Sequence, residues 1–91
     1  MTRVIIETDN PSTRQHIHSA LHTECEVLKR QIFRTQKKIQ HFEQQYGPLN
    51  REQLYGQIED LELVEWEGEL ETLGKLRQNL QSFEEMTFEY R

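Results

Sequence analysis

The sequence predicts a mainly α-helical protein, an elongated antiparallel helical hairpin of the coiled-coil type with a short β-strand at the N-terminus. Three observations support this fold class. Apolar residues in the first half recur in alternating steps of four and three, which keeps one narrow stripe against a partner helix. A Gly47-Pro48 pair then interrupts the helical pattern. A second stretch with apolar helical periodicity follows, so residues 1–91 can fold back on themselves as a single domain.

The first predicted element is a strand within residues 1–9. Residues 3–8 are rich in β-branched side chains, which favour extended structure. Asn10 and Pro11 then mark the start of a helix. An asparagine side chain caps free backbone N–H groups, and proline fits the first helical position because it has no N–H to leave unpaired.

Helix 1 is predicted over residues 11–46. Its apolar seam keeps the alternating spacing throughout and consists of Leu21, Cys25, Leu28, Ile32, Thr35, Ile39, Phe42 and Tyr46. A seam of this kind requires a surface to pack on. A turn at residues 47–50 would bring the second half of the chain back to supply it.

Helix 2 is predicted over residues 51–85, with a kink or short break near residues 60–63. The break is expected because Leu54, Ile58 and Leu61 form one apolar stripe, while a second stripe that contains Trp66 is out of phase with it. Residues 86–91 form a tail or a strand, since apolar and polar residues alternate there. Such a strand can pair antiparallel with the first one.

Charged residues are separated into two blocks. Residues 29–38 carry five basic side chains and no acidic one, whereas residues 52–71 carry eight acidic side chains and no basic one. With a four-residue turn the two blocks would lie opposite each other along the hairpin. Exposed ion pairs contribute little stability, so this complementarity would mainly fix the register.

Composition limits the cellular role. The net charge of −5 disfavours nonspecific binding to nucleic acid or to an anionic membrane. The single cysteine cannot form an internal disulfide, which favours the cytoplasm. No apolar run is long enough for a membrane span or an export signal. Two apolar stripes are too exposed in one short hairpin, so we expect a homodimer or a higher oligomer.

Candidate chemistry is sparse. His18, His22 and Cys25 are spaced to share one helix face and are weak candidates for metal ligands. Cys25 is also a seam residue, and no second cluster completes a tetrahedral site, so we expect no metal and no cofactor. The acidic residues around Trp66 fall on different helix faces, and no nucleophile or base accompanies them. We therefore expect that the protein is not an enzyme.

Three segments of the sequence are informative together: residues 4–11, 42–47 and 65–70. They resemble the corresponding segments of a family of small, mostly helical prokaryotic antitoxin-like proteins that are encoded beside a toxin gene. The resemblance implies a type II antitoxin that binds and neutralises a cognate basic toxin, such as a ribonuclease.

Two features of the sequence could form the binding surface for such a toxin. They are the acidic block and an exposed strand edge. The candidate contacts are Glu62, Glu65, Glu69, Ile5, Phe88 and Tyr90. The sequence leaves one alternative open, a structural or chaperone-like coiled-coil protein that oligomerises and has no toxin partner.

Overall fold

The protein is a narrow rod with principal extents of 62 × 20 × 17 Å. The computed structural model describes residues 2–8, 10–54, 56 and 58–90, without the side chains of residues 2, 51 and 53. The described elements are β1 (Thr2–Ile6), α1 (Pro11–Tyr46), α2 (Arg51–Leu54), α3 (Asp60–Glu84) and β2 (Met86–Tyr90). They confirm the helical hairpin and a strand on each side of it. Residues 1, 9 and 91, which the predicted terminal segments included, lie outside the described residues.

Helix α1 defines the long axis of the rod, and its bounds match those predicted from the sequence. The Asn10 side chain accepts a hydrogen bond from the Ser12 backbone N–H at 2.9 Å, which confirms the predicted cap. At the other end Gly47 adopts φ 79° and donates its N–H to the Glu43 carbonyl at 2.8 Å. At 1.5 Å per residue, the 36 residues of α1 extend about 54 Å, almost the length of the molecule.

The predicted seam of α1 is confirmed along its whole length. Leu28, Thr35 and Ile39 are buried, and the other seam residues are half-buried. The C-terminal half of the seam packs on α3. Towards the N-terminus of α1, α3 reaches as far as Cys25, which lines a groove with Phe83, and the strand residue Phe88 lines the same groove beside Leu21.

The connection between the long helices differs from the prediction. Instead of a four-residue turn, the chain uses residues 47–59, which include the four-residue helix α2, and α3 starts only at Asp60. The helix is therefore broken before residues 60–63 rather than within them. A four-residue turn would have placed Phe42 opposite Leu54, but Phe42 stacks on Trp66 with 5.4 Å between ring centroids. The predicted register was thus wrong by about twelve residues.

A compact apolar cluster packs at the end of the hairpin where residues 47–59 connect the two long helices. We call this end the closed end. Leu54, Ile58, Leu63 and Trp66 are buried, and Phe42, Tyr46 and Leu49 pack against them. Trp66 lies at the centre with no exposed surface. The connection is long because it contributes two of these core residues, Leu54 and Ile58, before the chain enters α3.

The two strands form a parallel pair, so the predicted antiparallel pairing was wrong. Val4 lies beside Phe88 and Ile6 beside Tyr90. Because of the shifted register, α3 ends before it reaches the start of α1. Strand β2 continues in the direction of α3 and runs along the N-terminal part of α1 that α3 does not cover. The chain also reverses between β1 and α1. Both strands consequently run opposite to α1 and parallel to each other.

The same register overturns the predicted pairing of the charge blocks. Lys38 and Glu69 form an ion pair between the two blocks, with 3.5 Å between Nζ and Oε1. Lys29 pairs within its own helix with Glu26. Arg34 lies across from Thr72 and Leu76. Most of the acidic block is instead displaced to the closed end of the hairpin.

Candidate functional site

The closed end of the rod concentrates negative charge. We call this region the acidic tip; its carboxylates come from the end of α1, the connection and the first turns of α3, and they are Glu43, Glu52, Glu59, Asp60, Glu62 and Glu65. All except Glu62 are exposed. The charge is gathered here because the connection is long and α3 opens with an acid-rich sequence. An excess of negative charge at the end of a rod creates a field that attracts a basic partner.

Two large apolar side chains project from the acidic tip into solvent. Leu61 is 78% exposed and Val64 is 59% exposed. They are three residues apart and share one helix face. Leu63, which lies between them in sequence, and Trp66, which follows Val64, are buried with exposed fractions of 2% and 0%. Leu61 and Val64 therefore lie on the side of α3 that faces away from α1.

Glu62 links the two long helices at the acidic tip. The Tyr46 hydroxyl donates to Glu62 Oε2 at 2.6 Å, which ties the last turn of α1 to the first turn of α3. This hydrogen bond raises the pKa of Tyr46 above its ordinary value of 10.0, and desolvation and the negative charges of Glu62 and Glu59 act in the same direction. Glu62, one of the predicted partner contacts, is thus engaged within the chain.

The other two acidic candidates differ from each other. Glu69 pairs with Lys38, and only 18% of its side chain is exposed. Glu65 is exposed and borders an open groove of about 360 Å³ that Lys37 and His41 also line. Of the three acidic side chains that the sequence singled out, Glu65 is the one that faces solvent without a described contact inside the hairpin.

The candidate contact residues on the two strands also differ in their exposure to solvent. Ile5 is 45% exposed on the outer face of the sheet. Phe88 turns inward and lines a groove with Leu21 of α1, and Tyr90 is half-buried with the Arg14 guanidinium 5.1 Å from the centre of its ring. The inward-facing pair belongs to the packing between sheet and helix, which leaves Ile5 as the accessible member.

The histidine and cysteine candidates meet in the groove that Phe88 lines. His18, His22 and Cys25 border this groove of about 420 Å³ together with Glu84. Within the part of the chain that the structure describes, no three His, Cys, Asp or Glu side chains are arranged to hold a metal ion.

Sequence reasoning missed Leu61 and Val64 as surface residues. Leu61 was assigned to the apolar stripe of Leu54 and Ile58, which placed all three on one helix that breaks only near residues 60–63. Leu54 and Ile58 are buried, but the break before Asp60 starts a new helix with a different phase. The available signal was the phase conflict itself, because a helix that begins at residue 60 and buries Leu63 and Trp66 must point Leu61 outward.

Fold and surface together define a class of protein: an elongated helical hairpin that presents an acidic tip with exposed apolar side chains. Comparisons with models of known families, with curated proteins and with solved structures find no match for this chain. None of the helices in the described ranges combines the length and the apolar character that crossing a membrane requires.

Proposed function

We propose that this protein is a non-enzymatic binding module that engages a basic protein through its acidic tip and acts as a type II antitoxin. The observation that carries the proposal is the exposure of Leu61 and Val64, at 78% and 59%, among the carboxylates of the tip. Single exposed apolar residues are common on surfaces. Exposed apolar surface that is contiguous and rimmed by polar residues is the kind that marks interaction sites, and Leu61 and Val64 share one helix face among carboxylates.

Charge and apolar surface have separate roles in the proposed complex. The carboxylates speed the encounter with a positively charged partner and orient it. Leu61 and Val64 then hold it, because fully burying a side chain of this size contributes roughly 1.5–3 kcal/mol. The two together would strengthen binding by about 2–3 kcal/mol after the cost of ordering the interface, or ~30–150-fold in affinity.

Binding at the tip also provides a mechanism of neutralisation. A nuclease toxin that cleaves RNA needs basic side chains to hold the phosphate backbone. The carboxylates of the tip would occupy those side chains and compete with RNA directly. Inhibition by this route requires no chemistry from the antitoxin. A convex, charged rod end suits it, whereas catalysis requires groups that converge in a concave pocket. We place this activity in the cytoplasm, where a toxin that attacks RNA would act.

Co-expression with the neighbouring gene tests the function. We expect that the product of this gene arrests growth when expressed alone and that the wild-type hairpin restores growth. The combined variant Leu61→Ser with Val64→Ser should fail to restore it. Phe33→Ser is the matched control, because Phe33 is also 59% exposed but lies on α1 away from the tip. Absence of toxicity, or rescue that both variants retain, would refute the proposal.

One observation favours the alternative of a structural or chaperone-like oligomerisation protein. Phe33 is exposed near the middle of the rod, with the Lys37 ammonium 5.2 Å from the centre of its ring. An apolar residue there could contact another rod side by side. In that case Phe33→Ser would disrupt assembly and the tip variant would not, the reverse of the pattern expected for the antitoxin.

A further inference from the structure

The sheet of this protein is too small to be stable as an independent unit. Among the described residues it contains two strands, β1 and β2, paired in parallel. Parallel sheets are usually larger and covered on both faces, and a two-stranded ribbon is marginal in water. Here α1 covers one face, while the outer face carries the exposed residues Arg3, Ile5 and Thr87. In a two-stranded sheet each strand also has an outer edge, and the edge of a sheet is a template on which another strand can pair.

The residues along β1 are complementary to themselves when the strand is reversed. From Arg3 to Glu7 the side chains alternate between exposed and half-buried, with Val4 and Ile6 turned towards α1. A positive charge at position 3 and a negative charge at position 7 lie at equal distances from Ile5. In an antiparallel pair of identical strands centred on Ile5, each Arg3 would therefore face a Glu7, and each Val4 would face an Ile6.

We propose that this protein forms a homodimer in which β1 of one protomer pairs antiparallel with β1 of its partner, centred on Ile5. The dimer is two-fold symmetric, and its sheet has four strands in the order β2-β1-β1-β2. Two Arg3–Glu7 pairs flank the contact between the two Ile5 side chains, and this contact lowers the exposure of Ile5, which is 45% in a single protomer. Val4 and Ile6 extend the inner apolar face across the axis, so the helices of both protomers cover one continuous sheet.

The other edge of the sheet lacks this complementarity. The edge strand there is β2, and the residues of β2 on the outer face of the sheet are Thr87 and Glu89. A reversed copy of β2 would set Glu89 opposite Thr87 or opposite another Glu89, with no positive charge in either case. Glu89 is also within 3.4 Å of Arg3 on the neighbouring strand. That ion pair holds the Arg3 guanidinium on the outer face, where it can also meet Glu7 of the partner.

Charge exchange tests the pairing in the full-length protein. Glu7→Arg places two arginines opposite each other at both ends of the interface, and Arg3→Glu does the same with two glutamates. Each variant should raise the dimer dissociation constant about tenfold or more, because two exposed charge pairs per dimer become repulsive. A mixture of the two variants should form heterodimers with near wild-type affinity. Sedimentation velocity over a concentration series measures these constants, and circular dichroism confirms that the variants are folded.

Disulfide formation tests the register. In a Cys25→Ala background, Ile5→Cys should cross-link efficiently on oxidation, because directly opposed residues are about 4.5–5.5 Å apart between Cα atoms. Arg3→Cys and Glu7→Cys are matched controls that should not cross-link, since each residue lies ~13 Å from its own copy in this register. Monomeric wild type at all concentrations, dimerisation that is insensitive to Glu7→Arg, or cross-linking that is equal at all three positions would overturn the proposal.

Discussion

Trp66 should dominate the stability of the hairpin. It has no exposed surface, and it stacks on Phe42 with an interplanar angle of 9° and lies 6.2 Å from Tyr46 between ring centroids. Replacing a buried tryptophan with alanine costs about 3–5 kcal/mol. Small domains have total stabilities of roughly 5–14 kcal/mol at this chain length. Trp66→Ala should therefore remove about a fifth or more of the free energy of unfolding.

Trp66→Phe is the informative comparison. Phenylalanine keeps a ring against Phe42, and it also removes an indole N–H that is buried without a hydrogen-bond partner in the described part of the chain. An unpaired buried donor costs about 1–3 kcal/mol, which offsets part of the lost contact area. We expect Trp66→Phe to destabilise the protein by less than half as much as Trp66→Ala.

Urea denaturation followed by far-ultraviolet circular dichroism measures both variants. In the wild type, fluorescence of this single tryptophan should report a buried indole and follow the same transition, because the cluster closes the hairpin. The reasoning would be refuted if Trp66→Ala cost less than ~1 kcal/mol, or if the two variants were equally destabilised.

Three further predictions concern pH, glycine conformation and salt. Because the Glu62 hydrogen bond raises the pKa of Tyr46 above 10.0, the bond stabilises the fold below pH 10, and this contribution is lost as the pH rises through the folded-state pKa. Ultraviolet titration should show Tyr46 ionising at lower pH in Glu62→Gln than in the wild type. Gly68→Ala and Gly74→Ala should each raise the free energy of unfolding by up to ~1 kcal/mol, since both lie within α3 and an added methyl group meets no described atom within 4 Å. Gly47→Ala should lower the free energy of unfolding by about 1–3 kcal/mol, because its φ of 79° and ψ of −166° suit glycine. Chemical denaturation measures the free energy of unfolding of all three glycine variants. Finally, the association rate of the acidic tip with its basic partner should fall steeply with added salt in stopped-flow measurements, while an apolar interface would be insensitive.

The fold was predictable where the information is local. The seam of α1 repeats over many turns, and its ends carry specific signals in Asn10, Pro11 and Gly47, so both its bounds and its buried face agree with the structure. The connection was not predictable in this way. The residues after Gly47 have helical composition, and Glu59 precedes α3 without a capping hydrogen bond from its side chain. The phase conflict between the two apolar stripes indicates an interruption near residues 60–63, but no capping side chain marks the residue at which α3 begins.

The direction of strand pairing depends on this non-local offset. Val4 and Phe88 can meet in a parallel sheet only because α3 ends part of the way along α1, and that distance is set by how many residues the connection consumes. A one-turn error there changes every later contact. Strand existence could thus be predicted from alternation, while pairing direction could not.

The candidate site was predictable as a charge pattern but not as a set of free side chains. Sequence identified an acidic surface that includes Glu62, Glu65 and Glu69. Only packing shows that Glu62 accepts from Tyr46 and that Glu69 pairs with Lys38. The apolar part of the tip was hidden for the same reason as the register, since the face of Leu61 depends on the position at which α3 starts.

The most direct test of the central claim is a calorimetric comparison of affinities for the protein encoded by the neighbouring gene. The account predicts that Leu61→Ser with Val64→Ser raises the dissociation constant by ~30–150-fold relative to the wild type. The control Phe33→Ser, at a side chain as exposed as that of Val64, should change the dissociation constant by less than about threefold, a typical effect outside an interface. Equal affinities for the wild type and the tip variant, or a larger loss in Phe33→Ser, would contradict binding through the acidic tip.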